Sequence, residues 1–230
     1  MIRSAGTALI LTILSFGDAS LAGISADIPA EPQKNAHYLF YMHGAFLETF
    51  PDGTPHPRSG TPYDWSGIVK NFSNRGFSVI SEVRDSGTTT REYAGHVAGQ
   101  VKRLLAADVP PQRIAVAGHS KGGAITLITA ALLQNPDIKF INMAGCGNDG
   151  RYARSFRRLV KTFGSRITGH LMSVYDADDK IVGSCAAIKH ASETVKFSEK
   201  VISTGRGHQL FYQPTAVWMD PVAKFAKEAR

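Results

Sequence analysis

From residue 38 onward, the chain alternates short apolar runs with longer segments in which apolar residues recur at helical spacing. Short apolar runs bounded by turn residues are typical of buried strands, and apolar residues three and four apart are typical of helices that pack on one side. This alternation predicts βαβ units, in which parallel strands form a central sheet. The fold class that we expect is α/β, a three-layer α/β/α sandwich with a mostly parallel central sheet.

The pattern predicts six strands and five helices in this part of the chain. The strands are expected over residues 38–42, 77–83, 114–117, 140–143, 170–175 and 195–202. The helices are expected near 65–72, 93–105, 124–133, 152–163 and 215–229. The stretch 51–62 is rich in glycine and proline and is the longest predicted loop, and long loops in compact domains are often functional.

The first 22 residues differ in composition from the rest of the chain. They contain two charged residues, Arg3 and Asp18, on either side of an apolar run over 7–16, and they end in small residues at Ser20 and Ala22. This arrangement predicts a secretory signal peptide over residues 1–22, cleaved after Ala22. The run is shorter than the roughly 20 residues that span a bilayer. The alternatives are an uncleaved anchor and an ordinary amino-terminal helix.

Export would leave residues 23–230 as a single domain in the periplasm or outside the cell, where disulfides persist. Cys146 and Cys185 both follow predicted strands, so we expect them to form a disulfide, with two free buried thiols as the alternative. Two cysteines are too few to replace a hydrophobic core. The excess of Lys and Arg over Asp and Glu, 26 − 19 = 7, is spread along the chain. This balance favours solubility and a mild attraction to anionic surfaces, and we expect no nucleic-acid partner. We expect no stable membrane insertion, because no other stretch is long and apolar enough to span a bilayer.

The segment 118–122, Gly-His-Ser-Lys-Gly, matches the G-x-S-x-G pattern of a nucleophile elbow. The pattern alone is weak, but here it lies between a predicted strand ending at Ala117 and a predicted apolar helix beginning at Ala124. A sharp turn from strand to helix needs residues without side chains at such positions. The context predicts that Ser120 is a nucleophile at the carboxyl edge of the sheet.

A serine hydroxyl needs a neighbouring base, which follows the serine in chain order in this kind of architecture. Among the later histidines, His170 opens a predicted strand and His190 lies in a helical stretch. His208 follows the last predicted strand in a glycine-rich loop, from which a mobile imidazole could reach the sheet edge. We therefore predict that His208 is the base.

The acid that orients the histidine should follow the fifth predicted strand. The loop at this position contains Asp176, Asp178 and Asp179. We favour Asp179, because it lies on the turn beyond the strand end and the apolar residues 181–182 would fix the loop. Asp178 is the second choice and Asp176 is the third.

Negative charge that develops on the attacked carbonyl oxygen needs hydrogen-bond donors. The backbone N–H of Lys121, directly after the nucleophile, is one predicted donor. The second is expected from the loop after the first core strand, where Gly44 would leave the N–H of Ala45 or Phe46 free. Because these donors are main-chain groups, the Lys121 side chain is expected to be solvated or salt-bridged.

These residues, from the strand end at His43-Gly44 through Ser120 and Asp179 to His208, resemble the α/β-hydrolase superfamily over most of the chain. The likeness is to small, secreted, bacterial-type members without a lid domain. It implies a serine hydrolase that cleaves an ester-like bond of a small acyl substrate through an acyl-enzyme, with no metal or organic cofactor. The oxyanion loop departs from the several glycines of lipases. A catalytically silent binding protein and an amide or peptide hydrolase are the alternatives.

Three further features could carry other functions. Residues 145–150 match G-x-G-x-x-G, which indicates either a dinucleotide-binding loop or a turn at the sheet edge that carries Cys146. Arg84 and His56 are expected near the carboxyl edge, where they could bind substrate or brace loops. Basic residues share one face of the fourth predicted helix, which could contact anionic lipid or be a solvated outer face; they are Arg151, Arg154, Arg158 and Lys161.

Overall fold

A computed structural model describes residues 23–57 and 60–228 of the chain, so the predicted signal peptide lies outside the described residues. At the centre is a seven-stranded sheet in which every neighbouring pair of strands is parallel. In spatial order the strands are β1 (Ile24–Ser25), β3 (Phe77–Ile80), β2 (His37–Met42), β4 (Ile114–His119), β5 (Lys139–Met143), β7 (Gly169–Asp176) and β9 (Val195–Ile202).

Helices cover both faces of this sheet. On one face pack α2 (Trp65–Asn74) and α7 (Ala216–Lys227), and on the other pack α3 (Thr90–Ala106), α4 (Lys121–Leu133), α5 (Gly150–Phe163) and α6 (Ala186–Ala191). A four-residue helix, α1 (Phe46–Thr49), follows β2.

Residues of β2 alternate between the two cores. Leu39 and Tyr41 pack with Phe72 of α2 on one face, whereas Tyr38 and Phe40 pack on the face of α3 and α4. Successive side chains of a strand point to opposite faces, so a strand that is covered on both sides is apolar throughout. The predicted three-layer α/β/α architecture is therefore confirmed.

The structure differs from the sequence-based prediction mainly at element ends. β3 ends at Ile80 rather than at residue 83, because the Ser81 side chain beyond it donates a hydrogen bond to the Tyr41 carbonyl oxygen (2.7 Å) and main-chain pairing with β2 ends there. The helix α4 begins at Lys121, three residues earlier than predicted. The two-residue strand β1 was not predicted.

A second, two-stranded antiparallel sheet lies beside the main one. It pairs β6 (Cys146–Gly147) with β8 (Val182–Gly183), and the predicted disulfide between Cys146 and Cys185 is present. The bond joins the segment that precedes α5 to the segment that follows β7. Within residues 23–57 and 60–228, none of the helices has the length and apolar character needed to cross a membrane.

Candidate active site

Ser120 occupies a sharp turn between β4 and α4. Its φ of 56° and ψ of −113° lie outside the regions that non-glycine residues usually adopt. Close backbone packing on both sides explains the flanking glycines: a Cβ on Gly118 would lie 2.1 Å from the Gly122 carbonyl oxygen, and a Cβ on Gly122 would lie 2.2 Å from that of Met42. The turn thus needs glycine at both positions.

His208 and Asp179 converge on this serine. Ser120 Oγ donates to His208 Nε2 at 2.9 Å, and His208 Nδ1 donates to Asp179 Oδ2 at 2.8 Å. The side chain of Asp179 is only 1% exposed, and its Oδ1 accepts hydrogen bonds from the N–H groups of Ile181 (3.0 Å) and Val182 (3.3 Å). Both carboxylate oxygens are therefore engaged, and the imidazole has a fixed tautomer and orientation.

The segment around His208 is more ordered than the sequence predicts. It is not a mobile loop but a 3₁₀ helix over Gly207–Tyr212, in which Leu210, Phe211 and Tyr212 are buried. The apolar residues that follow His208 anchor it to the core, which explains the difference. The other two histidines lie elsewhere, since His170 is inside β7 and His190 is exposed on α6.

The other two candidate acids have different surroundings. Asp178 is exposed, whereas Asp176 is fully buried at the end of β7. Asp176 accepts hydrogen bonds from the N–H of Asp178 (2.9 Å) and from both the N–H and the hydroxyl of Thr204. Burial alone would raise the pKa of Asp176, but these hydrogen bonds bring it below its ordinary value. Asp176 thus joins the ends of β7 and β9, while Asp179 contacts the histidine.

The predicted oxyanion donors lie around the same serine. Lys121 is the first residue of α4, and Ala45 and Phe46 begin α1 beside Ser120. A Cβ on Gly44 would lie 3.4 Å from Ser120 Cβ and 3.0 Å from a nitrogen of His119, so glycine lets this loop approach closely. A short helix turn and a long helix therefore both begin beside Ser120, where N–H groups lack intrahelical partners.

Comparison with solved structures identifies the architecture. Est1E from Butyrivibrio proteoclasticus, in a structure with bound ferulic acid, is 15% identical over 87% of this chain and 90% of its own, with a TM-score of 0.50. Acetyl xylan esterase 1 from Thermoanaerobacterium sp. JW/SL YS485 is 17% identical over 84% of this chain and 74% of its own, with a TM-score of 0.52. The protein has the α/β-hydrolase fold.

A third similar structure, a predicted CIB-like hydrolase from Thermoplasma acidophilum, is 19% identical over 85% of this chain and 88% of its own, with a TM-score of 0.50. No protein-family model matches the sequence, and no curated protein matches it significantly. In this α/β-hydrolase fold, the chain passes from β5, the neighbour of β4, through β6 into α5. Residues 60–228 form no separate lid domain.

A network of three charged side chains, two of them buried, supports the loop that contains Ala45. Glu48 of α1 pairs with Arg84 Nε at 3.0 Å and with Lys121 Nζ at 2.6 Å, and the Arg84 side chain is fully buried. Arg84 also donates its backbone N–H to Nε2 of His43 (2.8 Å). Burial and the Arg84 charge lower the pKa of His43 to about 3, so this imidazole is neutral. Arg84 therefore braces the loop, and Lys121 is salt-bridged.

Tyr63, which follows the long loop, was missed by the sequence analysis. Its hydroxyl accepts a hydrogen bond from the Gly44 N–H (3.3 Å) and lies 3.0 Å from the Tyr41 hydroxyl and 3.2 Å from Nδ1 of His119. The His119 ring in turn lies 4.9 Å from the His208 ring, centroid to centroid. Burial and proximity to His208 lower the pKa of His119 well below its ordinary range, so a neutral ring lies behind His208. The sequence contains one indication of this role: Tyr63 is an aromatic residue directly after a loop rich in glycine and proline.

Two of the three glycines of the 145–150 motif, Gly145 and Gly147, are packed against protein atoms. A Cβ on Gly145 would lie 2.7 Å from Oδ1 of Asn142, and a Cβ on Gly147 would lie 2.3 Å from the backbone of Tyr152. The segment forms β6 and carries Cys146 of the disulfide. Gly145 and Gly147 therefore serve close packing beside Ser120, and the interpretation as a sheet-edge turn fits this arrangement.

Two cavities meet at Ser120. The first, of about 510 Å³, runs between α4 and α5, and the second, of about 470 Å³, lies on the side of His208. Both volumes are in the range of small-molecule sites. Both cavities share the residues Ala45, Ser120, Tyr152 and Val182. A molecule that spans the two would therefore have its centre at the serine.

Proposed function

We propose that the protein is a serine hydrolase that cleaves carboxylic esters through an acyl-enzyme. The observation that carries this proposal is the unbroken chain of contacts from Ser120 Oγ through His208 to the buried Asp179. Three residue types with these contacts suit nucleophilic catalysis, because the imidazole accepts the serine proton and the carboxylate stabilises the imidazolium. The esterases of the same fold support an ester as the substrate.

In the proposed reaction, Ser120 Oγ attacks the ester carbonyl carbon while His208 Nε2 takes the hydroxyl proton. The N–H of Lys121 and that of Ala45 or Phe46 stabilise the oxyanion of the tetrahedral intermediate. His208 then donates the proton to the leaving alcohol, which leaves the acyl group on Ser120. A water molecule, deprotonated by the same imidazole, releases the acid and restores the serine.

A fluorophosphonate probe tests the proposal, because it reacts with activated serines. The wild type should be labelled at Ser120, and Ser120→Ala should not be labelled and should lose about 10⁶-fold in kcat on a nitrophenyl ester. The matched control is Ser165→Ala, an exposed serine on the 3₁₀ turn after α5, which should behave as the wild type.

A wild type that stays unlabelled would support the silent binding protein instead, and labelling of Ser120→Ala would reject the assignment of the nucleophile. Parallel assays on a nitrophenyl ester and the matching nitroanilide separate ester from amide hydrolysis. Faster cleavage of the anilide would indicate that the protein is an amide hydrolase rather than an ester hydrolase.

We also propose that residues 1–22 direct export and that residues 23–230 form one mature domain. The composition of the leader and the Cys146–Cys185 disulfide support this proposal, because disulfides persist in oxidising compartments. Expression of the full chain in a bacterium with a periplasm tests it by intact mass. The periplasmic protein should begin at Gly23, whereas Ala22→Phe should retain the leader. Full-length wild-type protein found in the cytosol would contradict the proposal.

A further inference from the structure

The two cavities at Ser120 differ in their relation to His208. Only the second cavity is lined by His208 and Asp179. The first is lined by the residue after the nucleophile, Lys121, and then by successive turns of α4 and α5. The site therefore has a direction, with the proposed base on one side of the serine and a groove on the other.

The chemistry of ester cleavage assigns a part of the substrate to each side. The tetrahedral carbon has four substituents, which are Ser120 Oγ, the oxyanion, the leaving oxygen and the acyl group. The leaving oxygen must lie against His208 Nε2 to receive its proton, so the alcohol half extends into the second cavity. The acyl half is then directed away from His208, into the groove between α4 and α5.

The lining of the groove between α4 and α5 indicates what kind of acyl group it takes. The apolar residues that α4 and α5 contribute to its lining are Ala124, Ile128, Tyr152, Phe156, Leu159 and Phe163. The side chain of Lys121, the lining residue next to Ser120, has its charge paired with Glu48 at 2.6 Å. The polar residues that α5 adds to the lining, Ser155, Arg158 and Thr162, are exposed and lie at the open side. The interior therefore favours a hydrocarbon over a sugar or a charged group.

The groove also extends well beyond the reach of an acetyl group. Along α4 it is lined from Lys121 to Ile128, which at about 1.5 Å per residue corresponds to roughly 10 Å. An acetyl group would fill only the end next to Ser120 and leave most of the apolar lining in contact with water.

On this geometry, and resting on the proposed function, we infer that the enzyme is selective for esters of medium-chain aliphatic acids, whose acyl chain lies in the groove between α4 and α5. The alcohol half lies on the His208 side. The chain length of the acid, rather than that of the alcohol, then sets the rate of acylation.

Two isomeric esters test this assignment directly. Ethyl octanoate and octyl acetate contain the same atoms and differ in which side of the ester bond carries the long chain. We expect kcat/KM of the wild type to be at least about tenfold higher for ethyl octanoate, since each methylene that leaves water contributes about fourfold. A titrimetric assay measures both without a chromogenic leaving group.

Two variants narrow the groove from opposite sides. Ser155→Phe adds a ring from the exposed side of α5, and Ala124→Leu adds volume from α4 with a residue that helices accept well. In both, the ratio of the two kcat/KM values should fall at least about fivefold, because the octanoyl chain loses its contacts. The matched control is Arg154→Phe, another exposed position on α5 that lies outside the groove lining, where the ratio should stay at the wild-type value.

The outcomes separate this inference from the proposed function. Three results would overturn the acyl assignment while leaving the proposed hydrolase intact. The wild type could hydrolyse both isomers at equal rates, it could prefer octyl acetate, or the ratio could be unchanged in both narrowed variants. A wild type that hydrolyses neither ester and does not react with the fluorophosphonate would overturn the proposed function and this inference together. Thermal unfolding of each variant verifies that it is folded, so that a fall in the ratio of the two kcat/KM values is not caused by unfolding.

Discussion

The two sides of Ser120 are held in place by different chemistry. On the acid side, the carboxylates of Asp179 and Asp176 are satisfied mainly by backbone N–H groups and by Thr204. On the proposed oxyanion side, the loop that contains Ala45 is braced by the charges of Glu48 and its two cationic partners. The position of a carboxylate bound by main-chain groups depends little on other side chains. In a buried ion network, by contrast, removal of one charge leaves its partners buried without a counter-charge.

The largest effect should come from the acid side. Asp179→Asn keeps the shape and can keep the contacts with the N–H groups of residues 181 and 182, but it removes the charge that orients His208. We expect kcat on a nitrophenyl ester to fall about 10⁴-fold, because the imidazole takes the wrong tautomer and its charged form is no longer stabilised. The control is Asp178→Asn, the neighbouring exposed carboxylate, which should change kcat by less than about tenfold. Equal losses in the two variants would contradict the preference for Asp179.

The next largest effect should come from the oxyanion side and should appear in stability. Glu48→Gln leaves the buried Arg84 and the partly buried Lys121 without a counter-charge. We expect the free energy of unfolding in urea to fall by about 3–5 kcal/mol. Asp108→Asn breaks the exposed pair with Lys34 and should cost no more than about 1 kcal/mol. If both variants lost the same amount, burial would not distinguish this network from a surface ion pair.

The smallest effect concerns Asp176 and depends on pH. Its pKa is lowered in the folded protein, so its carboxylate stabilises the fold above the unfolded pKa of about 3.9, and this contribution is lost as pH falls through the lower folded value. At neutral pH, Asp176→Asn should therefore be less stable than the wild type by about 1–3 kcal/mol, from weakened hydrogen bonds to a charged group. Below about pH 4 the gap should shrink. Urea unfolding of both proteins across this range measures the gap, and a gap independent of pH would show that folding does not lower the pKa of Asp176.

Long elements with a clear period were predictable from sequence, and very short ones were not. The six predicted strands and five predicted helices are all present, because each is long enough to carry its apolar pattern. The strands β1, β6 and β8 have two residues each, which is too short to show a repeating pattern of apolar residues. Where β3 ends depends on the Ser81 hydrogen bond to Tyr41, a contact between strands that only the folded arrangement brings about.

The same distinction holds within the candidate site. Ser120, Asp179 and His208 follow three strands of a parallel sheet, so topology alone brings them to one edge, and their contacts agree with that expectation. Their catalytic roles remain predictions. Glu48 and Tyr63 could not be found in this way, because one comes from a four-residue helix and the other from the end of a long loop. Their positions depend on the path of irregular segments rather than on strand order.

The bond between Cys146 and Cys185 closes a ring that contains α5, β7 and the loop of Asp179, with its two ends 39 residues apart. Protein produced in a reducing cytosol would carry a dithiol here. The two-residue strands and the hydrogen bonds from Asn148 to Ile181 and Val182 would then hold the start of α5 to the end of that loop. Preparations from a reducing and from an oxidising host are therefore different chemical species. Kinetic comparisons between laboratories require the redox state of this pair to be established by mass spectrometry first.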